Sequence, residues 1–196
     1  MKRSALAFVF LLAAPALVSA DTFERIDFVA PLSPSSEVRT PPITDKEIVG
    51  AGNVAMHLRR DTSGNVVSAL VDFDVQLFTT QAETITAMHI HQNVAGANGG
   101  IVLSSTPANF PPDPILDASP GEGRIFKQRS LAITNTGELA AINGILANPA
   151  GFYLNLHSTS YPGGIFRGQL QRTVSTKVDL LDSLVRRVAF LLGLRP

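Results

Sequence analysis

Histidine is the residue in this chain with the most chemistry to offer, and there are only four: His57, His89, His91 and His157. His89 and His91 stand two apart in "MHIHQNVAGANGG", a run that reads as a strand ending in a glycine-rich turn. Side chains alternate faces along a strand, so these two imidazoles project together, with Cα atoms roughly 6.5–7 Å apart. Two imidazoles so placed can share a metal ion through bonds of about 2.0–2.1 Å, but two protein ligands alone make a weak site. His157 is the third candidate. It ends the run "FYLNLHS", where Phe152, Leu154 and Leu156 share the inward parity and Tyr153, Asn155 and His157 the outward one. If Tyr153–His157 pairs with Ile85–His91, three imidazoles converge; His57 is a more distant fourth. Copper or zinc suits such ligands, and three histidines without cysteine do not choose between them. The structural alternative uses the same atoms: imidazoles both donate and accept, so the three can tie the Gly96–Gly100 loop and the Pro162–Gly164 turn to a sheet.

Other catalytic constellations are missing. No Ser-His-Asp or Cys-His signature surrounds Ser158 or any other hydroxyl, and the chain has no cysteine. No two carboxylates form a recognisable acid–base pair. The Gly96–Gly100 glycines are not followed by Lys-Ser/Thr or a helix start, so a phosphate-binding loop is excluded. The expectation is a non-enzymatic protein. Arg167, on a strand with apolar neighbours, reads as a buried fork bonding loop carbonyls or a carboxylate.

The elements that must position these residues are mostly short strands. Phe23–Val29 is a first strand, followed by a loop from Ala30 to Thr44 carrying four prolines. Val54–Leu58 and Val66–Val75, joined by Asp61-Thr62-Ser63-Gly64-Asn65, read as a β-hairpin. Thr84–His91, Ile101–Leu103, Ile125–Ile133, Phe152–His157 and Ile165–Gln171 complete the set. Ser104–Gly123, with five prolines, reads as a long loop. Asn135 and Glu138 form a capping box ahead of Leu139, Ile142 and Leu146, which predicts a short helix ended by Pro149 and Gly151. Many short strands with Gly/Pro turns and one inserted helix predict an all-β sandwich or barrel.

The two ends differ from this middle. Met1-Lys2-Arg3, the apolar run Ala5–Leu12 and Val18-Ser19-Ala20 make residues 1–20 a secretory signal peptide, so the expected location is periplasmic or extracellular. Its removal takes two of the 16 basic residues and none of the 16 acidic ones, leaving a net charge of about −2. That balance provides no basic patch for nucleic acid. Residues 175–193 carry Val178, Leu181, Leu184, Val185, Val188 and Leu192 at helical spacing, an amphipathic C-terminal helix. Its apolar face packs on the domain or a second copy; weak membrane-surface contact, helped by Arg186 and Arg187, is the alternative.

Two stretches taken together, "HIHQNVAGANGGIV" and "GFYLNLHSTSYPGGIFRGQL", resemble the CHRD domain, the module repeated in chordin and found singly in many bacterial exported proteins. The matching positions include His89, His91, Asn98, Gly99, Tyr153, Asn155, His157, Arg167, Gly168 and Gln169. The chain departs from the usual pattern at Asn93, at Gly100 where proline is common, and at Ile165 where glutamate is common. The resemblance covers roughly residues 23–172. It implies an immunoglobulin-like or superoxide-dismutase-like β-sandwich that serves as a binding or interaction module for an unspecified protein or small ligand. His-x-His on a strand is also similar to copper–zinc superoxide dismutase, whose copper takes four imidazoles. That set would consume every histidine here, with His57 standing apart.

Overall fold

The computed structural model describes residues 21–106, 116–118, 120–128 and 132–177. Residues 1–20, expected above to be a signal peptide, and the apolar run from Val178 onward lie outside the described residues. The chain forms two antiparallel sheets. The first has the order β10 (Gln171–Lys177), β1 (Thr22–Leu32), β2 (Ile48–Arg60), β3 (Val66–Thr79) and β7 (Gly121–Gln128). The second runs β5 (Ile101–Ser104), β4 (Glu83–Gln92), β8 (Phe152–Ser158) and β9 (Phe166–Gln169), and the short β6 (Leu116–Ala118) also pairs with β4.

Alternation puts one set of side chains from each sheet into a shared core. Ile26, Phe28, Val54, Met56, Val71 and Phe73 meet Met88, Ile90, Leu154 and Leu156, all of them buried. Removing that much apolar surface from water is the main favourable term holding the sheets together. The helix α1 (Thr136–Ala147) lies against β3 and β5 and adds Ile142 and Ile145 to the core. Its cap is the predicted one: Asn135 accepts from the Glu138 amide at 2.9 Å, while its own side-chain amide donates to the Glu138 carboxylate. The β2–β3 turn is also as read, with the Asp61 carboxylate accepting from Ser63 and Asn65 amides and Gly64 at φ +86°.

Three expectations are corrected. The 104–123 stretch is not all loop, because residues 116–118 pair with β4 and β7 begins at Gly121. Strand structure also does not stop at Arg172. β10 pairs with β1 as far as Glu24↔Lys177, so residues 175–177 belong to the first sheet and not to a C-terminal helix. Finally, the outward parity of β8 is not exposed. Tyr153 and Asn155 are buried nearly as fully as the apolar residues between them, and His157 is 9% exposed.

The Gly96–Gly100 loop meets Tyr153 and the Pro162 turn meets His157, and beside them lies the connection between β1 and β2, residues 33–47, here called the strap. Ser33 bridges Arg167 on β9 through reciprocal backbone bonds of 3.2 and 3.3 Å. Farther along, the guanidinium of Arg39 sits 4.7 Å above the Tyr161 ring, the Tyr161 hydroxyl donates to Asp45, and Lys46 pairs with Glu83 at 2.8 Å. These contacts clasp an otherwise irregular segment to the second sheet's outer side. Among the described residues, no helix is long and apolar enough to cross a membrane.

Candidate functional site

The register of β4 against β8 decides what the three histidines can do. Ala87 faces His157, His89 faces Asn155 and His91 faces Tyr153, so His89 and His157 are diagonal neighbours on one face. Their ring centroids are 4.8 Å apart, and His91 lies 5.8 Å from His89 and 5.7 Å from His157. One ligating nitrogen from each falls within 4.8 Å of the others. His57 is elsewhere. It stands on the first sheet, where its Nε2 is 3.2 Å from the Asp72 carboxylate. A four-imidazole set of the dismutase kind therefore does not assemble.

Hydrogen bonds set the tautomers. His91 Nδ1 donates to Gly99 O at 3.0 Å, and His157 Nδ1 donates to Pro162 O at 2.9 Å. Each of these rings is left with an Nε2 lone pair. That of His91 is buried without a hydrogen-bond partner, and that of His157 accepts from His89 Nδ1 at 3.1 Å, a bond an ion would replace. Backbone carbonyls that fix one ring nitrogen while the other points into a shared space are the usual outer support of imidazole ligands. Two imidazoles on one tetrahedral ion with bonds of 2.0–2.1 Å stand about 3.3 Å apart, so the 3.1 Å pair fits and the widest pair closes by about 1.5 Å. Burial first, then the neighbouring His157 and His91, push the His89 pKa down to about 4. His91 is also lowered, chiefly by burial, against the Gly99 bond that favours its proton. Both rings are neutral at pH 7, the form that offers a lone pair to a metal.

The rest of the face is a polar layer that holds the loop over the histidines. Tyr153 stacks on His91 with centroids 5.0 Å apart, and the Arg167 guanidinium lies 3.8 Å over the Tyr153 ring. In strand order Tyr153 stands between them. Its hydroxyl accepts from the Gly99 amide at 3.1 Å, so both ends of the Gly99 residue are tied, one to Tyr153 and one to His91. Arg167 is 1% exposed and donates to Ala97 O at 3.1 Å and Asn98 Oδ1 at 3.2 Å, the loop-binding fork anticipated from its strand. Asn98 in turn donates to Val38 O on the strap at 2.8 Å. Gln169 Nε2 lies within bonding distance of Asn93 O, Ala150 O and Phe152 O. Gly168 has no room for a side chain, since a Cβ there would lie 2.0 Å from Pro31 O where β9 crosses β1.

Two residues of this layer were not singled out by the sequence reading. Glu37 and Arg39 are the only charged residues between Ala30 and Thr44, a signal in an otherwise uncharged, proline-rich stretch. The Glu37 carboxylate faces Arg167 and lies beside Gly164 and Asn155. Ile165 is fully buried and brings no carboxylate to its neighbour Arg167. The carboxylate near Arg167 thus comes from the strap.

Two packed antiparallel sheets carrying this histidine–arginine layer define a β-sandwich module. A family model for the CHRD domain matches residues 28–170, and the chain belongs to that family. CHRD is a binding-type domain family and not a recognised enzyme family. Comparison with curated proteins and with solved structures finds no significant match.

Proposed function

We propose that this chain is an exported CHRD-domain module that binds one copper or zinc ion through His89, His91 and His157. One observation carries the reading: three imidazole nitrogens converge within 4.8 Å, and the buried Nε2 of His91 has no other partner. Export rests on residues 1–20, which read as a signal peptide. A second reading has its own observation. The bonds from His91 to Gly99 and from His157 to Pro162 make the histidines ties for two loops, with the module binding a protein or small ligand elsewhere.

Titration of untagged, metal-stripped protein with Zn²⁺ and Cu²⁺ separates the two. Saturable 1:1 binding that disappears in His91→Ala supports the metal site. Negligible binding together with a lower denaturation midpoint in His89→Ala supports the structural ties. Because burial lowers the His89 pKa to about 4 and that of His91 below its ordinary value, protons compete with the metal at these two ligands only in acid, and metal binding should be lost as pH approaches about 4.

A further inference from the structure

On the far side of Tyr153 from His91, the strap and the Gly96 loop enclose a cleft of about 610 Å³. Its lining includes Glu37, Arg39, Arg167, Ser35, Ser36 and Gln171. Two arginines therefore line one cleft: Arg39, whose guanidinium also lies over Tyr161, and Arg167, which is almost wholly buried and donates to Ala97 O and Asn98 Oδ1. Among the described residues, no carboxylate lies within ion-pair distance of either. Arg167 is hydrogen-bonded to the loop, and Glu37, the carboxylate that faces it, stands outside ion-pair distance, so an anion delivered from solution would supply the close charge partner that a buried cation needs.

We propose that this cleft binds a small organic carboxylate, held by Arg39 and Arg167. Guanidinium groups match the planar carboxylate fork in geometry and charge. The cleft's volume is in the range of sites for small organic molecules, with room beyond a bare inorganic ion. The serine hydroxyls and the Gln171 amide suit a hydroxylated body on the ligand.

Glu37 sets the pH dependence. Burial, opposed by Arg167 and Arg39, raises its pKa to about 7. The charged groups facing it are Arg39 on its own segment and Arg167 from β9. The Gly96 loop contributes no charged residue and β8 contributes the Asn155 amide. Ionised Glu37 repels an incoming anion, and the protonated form does not. Binding therefore tightens as pH falls through 7.

The test is calorimetric titration of the full-length, metal-stripped protein with gluconate, a polyhydroxylated monocarboxylate, and with sulfate, each at pH 6 and pH 8. Saturable gluconate binding is expected, tighter at pH 6. Arg39→Gln, at an exposed position, should weaken it about tenfold or more, the worth of one charge-assisted hydrogen-bond pair. Glu37→Gln should leave it tight at both pH values. Absence of saturation at tens of millimolar gluconate overturns the site, and so does unchanged affinity in Arg39→Gln. Sulfate binding as tightly as gluconate overturns the assignment to an organic carboxylate.

Discussion

Replacing Gly99 by alanine probes the contact that holds the loop over the histidines. The added Cβ would lie 1.9 Å from Gln92 O and 2.6 Å from its carbonyl carbon. Ordinary contacts are near 3.5 Å, so the loop must retreat by roughly 1.5 Å. Three hydrogen bonds depend on its present place: Gln92 N to Gly100 O at 3.1 Å, His91 Nδ1 to Gly99 O at 3.0 Å, and Gly99 N to the Tyr153 hydroxyl at 3.1 Å. At about 0.5–1.5 kcal/mol each, their loss costs about 2–4 kcal/mol. Alanine's stiffer unfolded chain returns about 0.4–1 kcal/mol, leaving a net loss of about 2–3 kcal/mol.

The neighbouring glycine is the control. A Cβ at Gly100 meets nothing within 4 Å, and its φ is not in the left-handed region. Gly100→Ala should therefore be neutral or stabilising by a few tenths of a kcal/mol. Urea unfolding followed by circular dichroism separates the pair. With a slope of about 1–3 kcal/mol/M, Gly99→Ala should lower the midpoint by about 1–2 M. Metal affinity in Gly99→Ala should fall by about 10–100-fold, because His91 loses the carbonyl that orients it. Equal midpoints for the two variants would refute the loop contact, whatever happens to metal binding.

Two further outcomes follow from the same layer and from the sheet edge. His89, lowered to about 4, contributes stability above its ordinary pKa of about 6.5 that is lost as pH falls toward 4. Glu37, raised to about 7, contributes stability at low pH that is lost as pH rises from about 4.5 to 7, so the two oppose each other across this window. Glu37→Gln should make stability climb with pH more steeply than in the native chain; urea midpoints at pH 5, 6 and 7 with an unchanged slope would contradict this. A chain ending at Lys177 keeps every β1–β10 pair, whereas one ending at Thr173 loses those from Val174 to Lys177 and bares part of the β1 edge. The shorter chain should have the lower denaturation midpoint, and equal midpoints would show that the pairs from Val174 to Lys177 contribute nothing to the sheet.

Much of this arrangement is readable in residue type and spacing. Parity alone places His89 and His91 on one face and puts His157 with Tyr153 and Asn155, because a strand's side chains must alternate. The turn at Asp61–Asn65 and the helix cap at Asn135 are equally local, since each depends on a few residues bonding their own backbone. Convergence of the three imidazoles is a different matter. It needs the pairing of Ala87 with His157 and His89 with Asn155, a register between strands about 70 residues apart. Spacing within either strand carries no record of that register. Nor does alternation say what covers the face turned away from the core. The burial of Arg167 and His157, the closeness of Gly99 to Gln92, and the placing of Glu37 beside Arg167 all come from an aperiodic strap and loop docking over the second sheet. Such docking is held by single hydrogen bonds and ion pairs between distant residues, which leave no periodic trace along the chain.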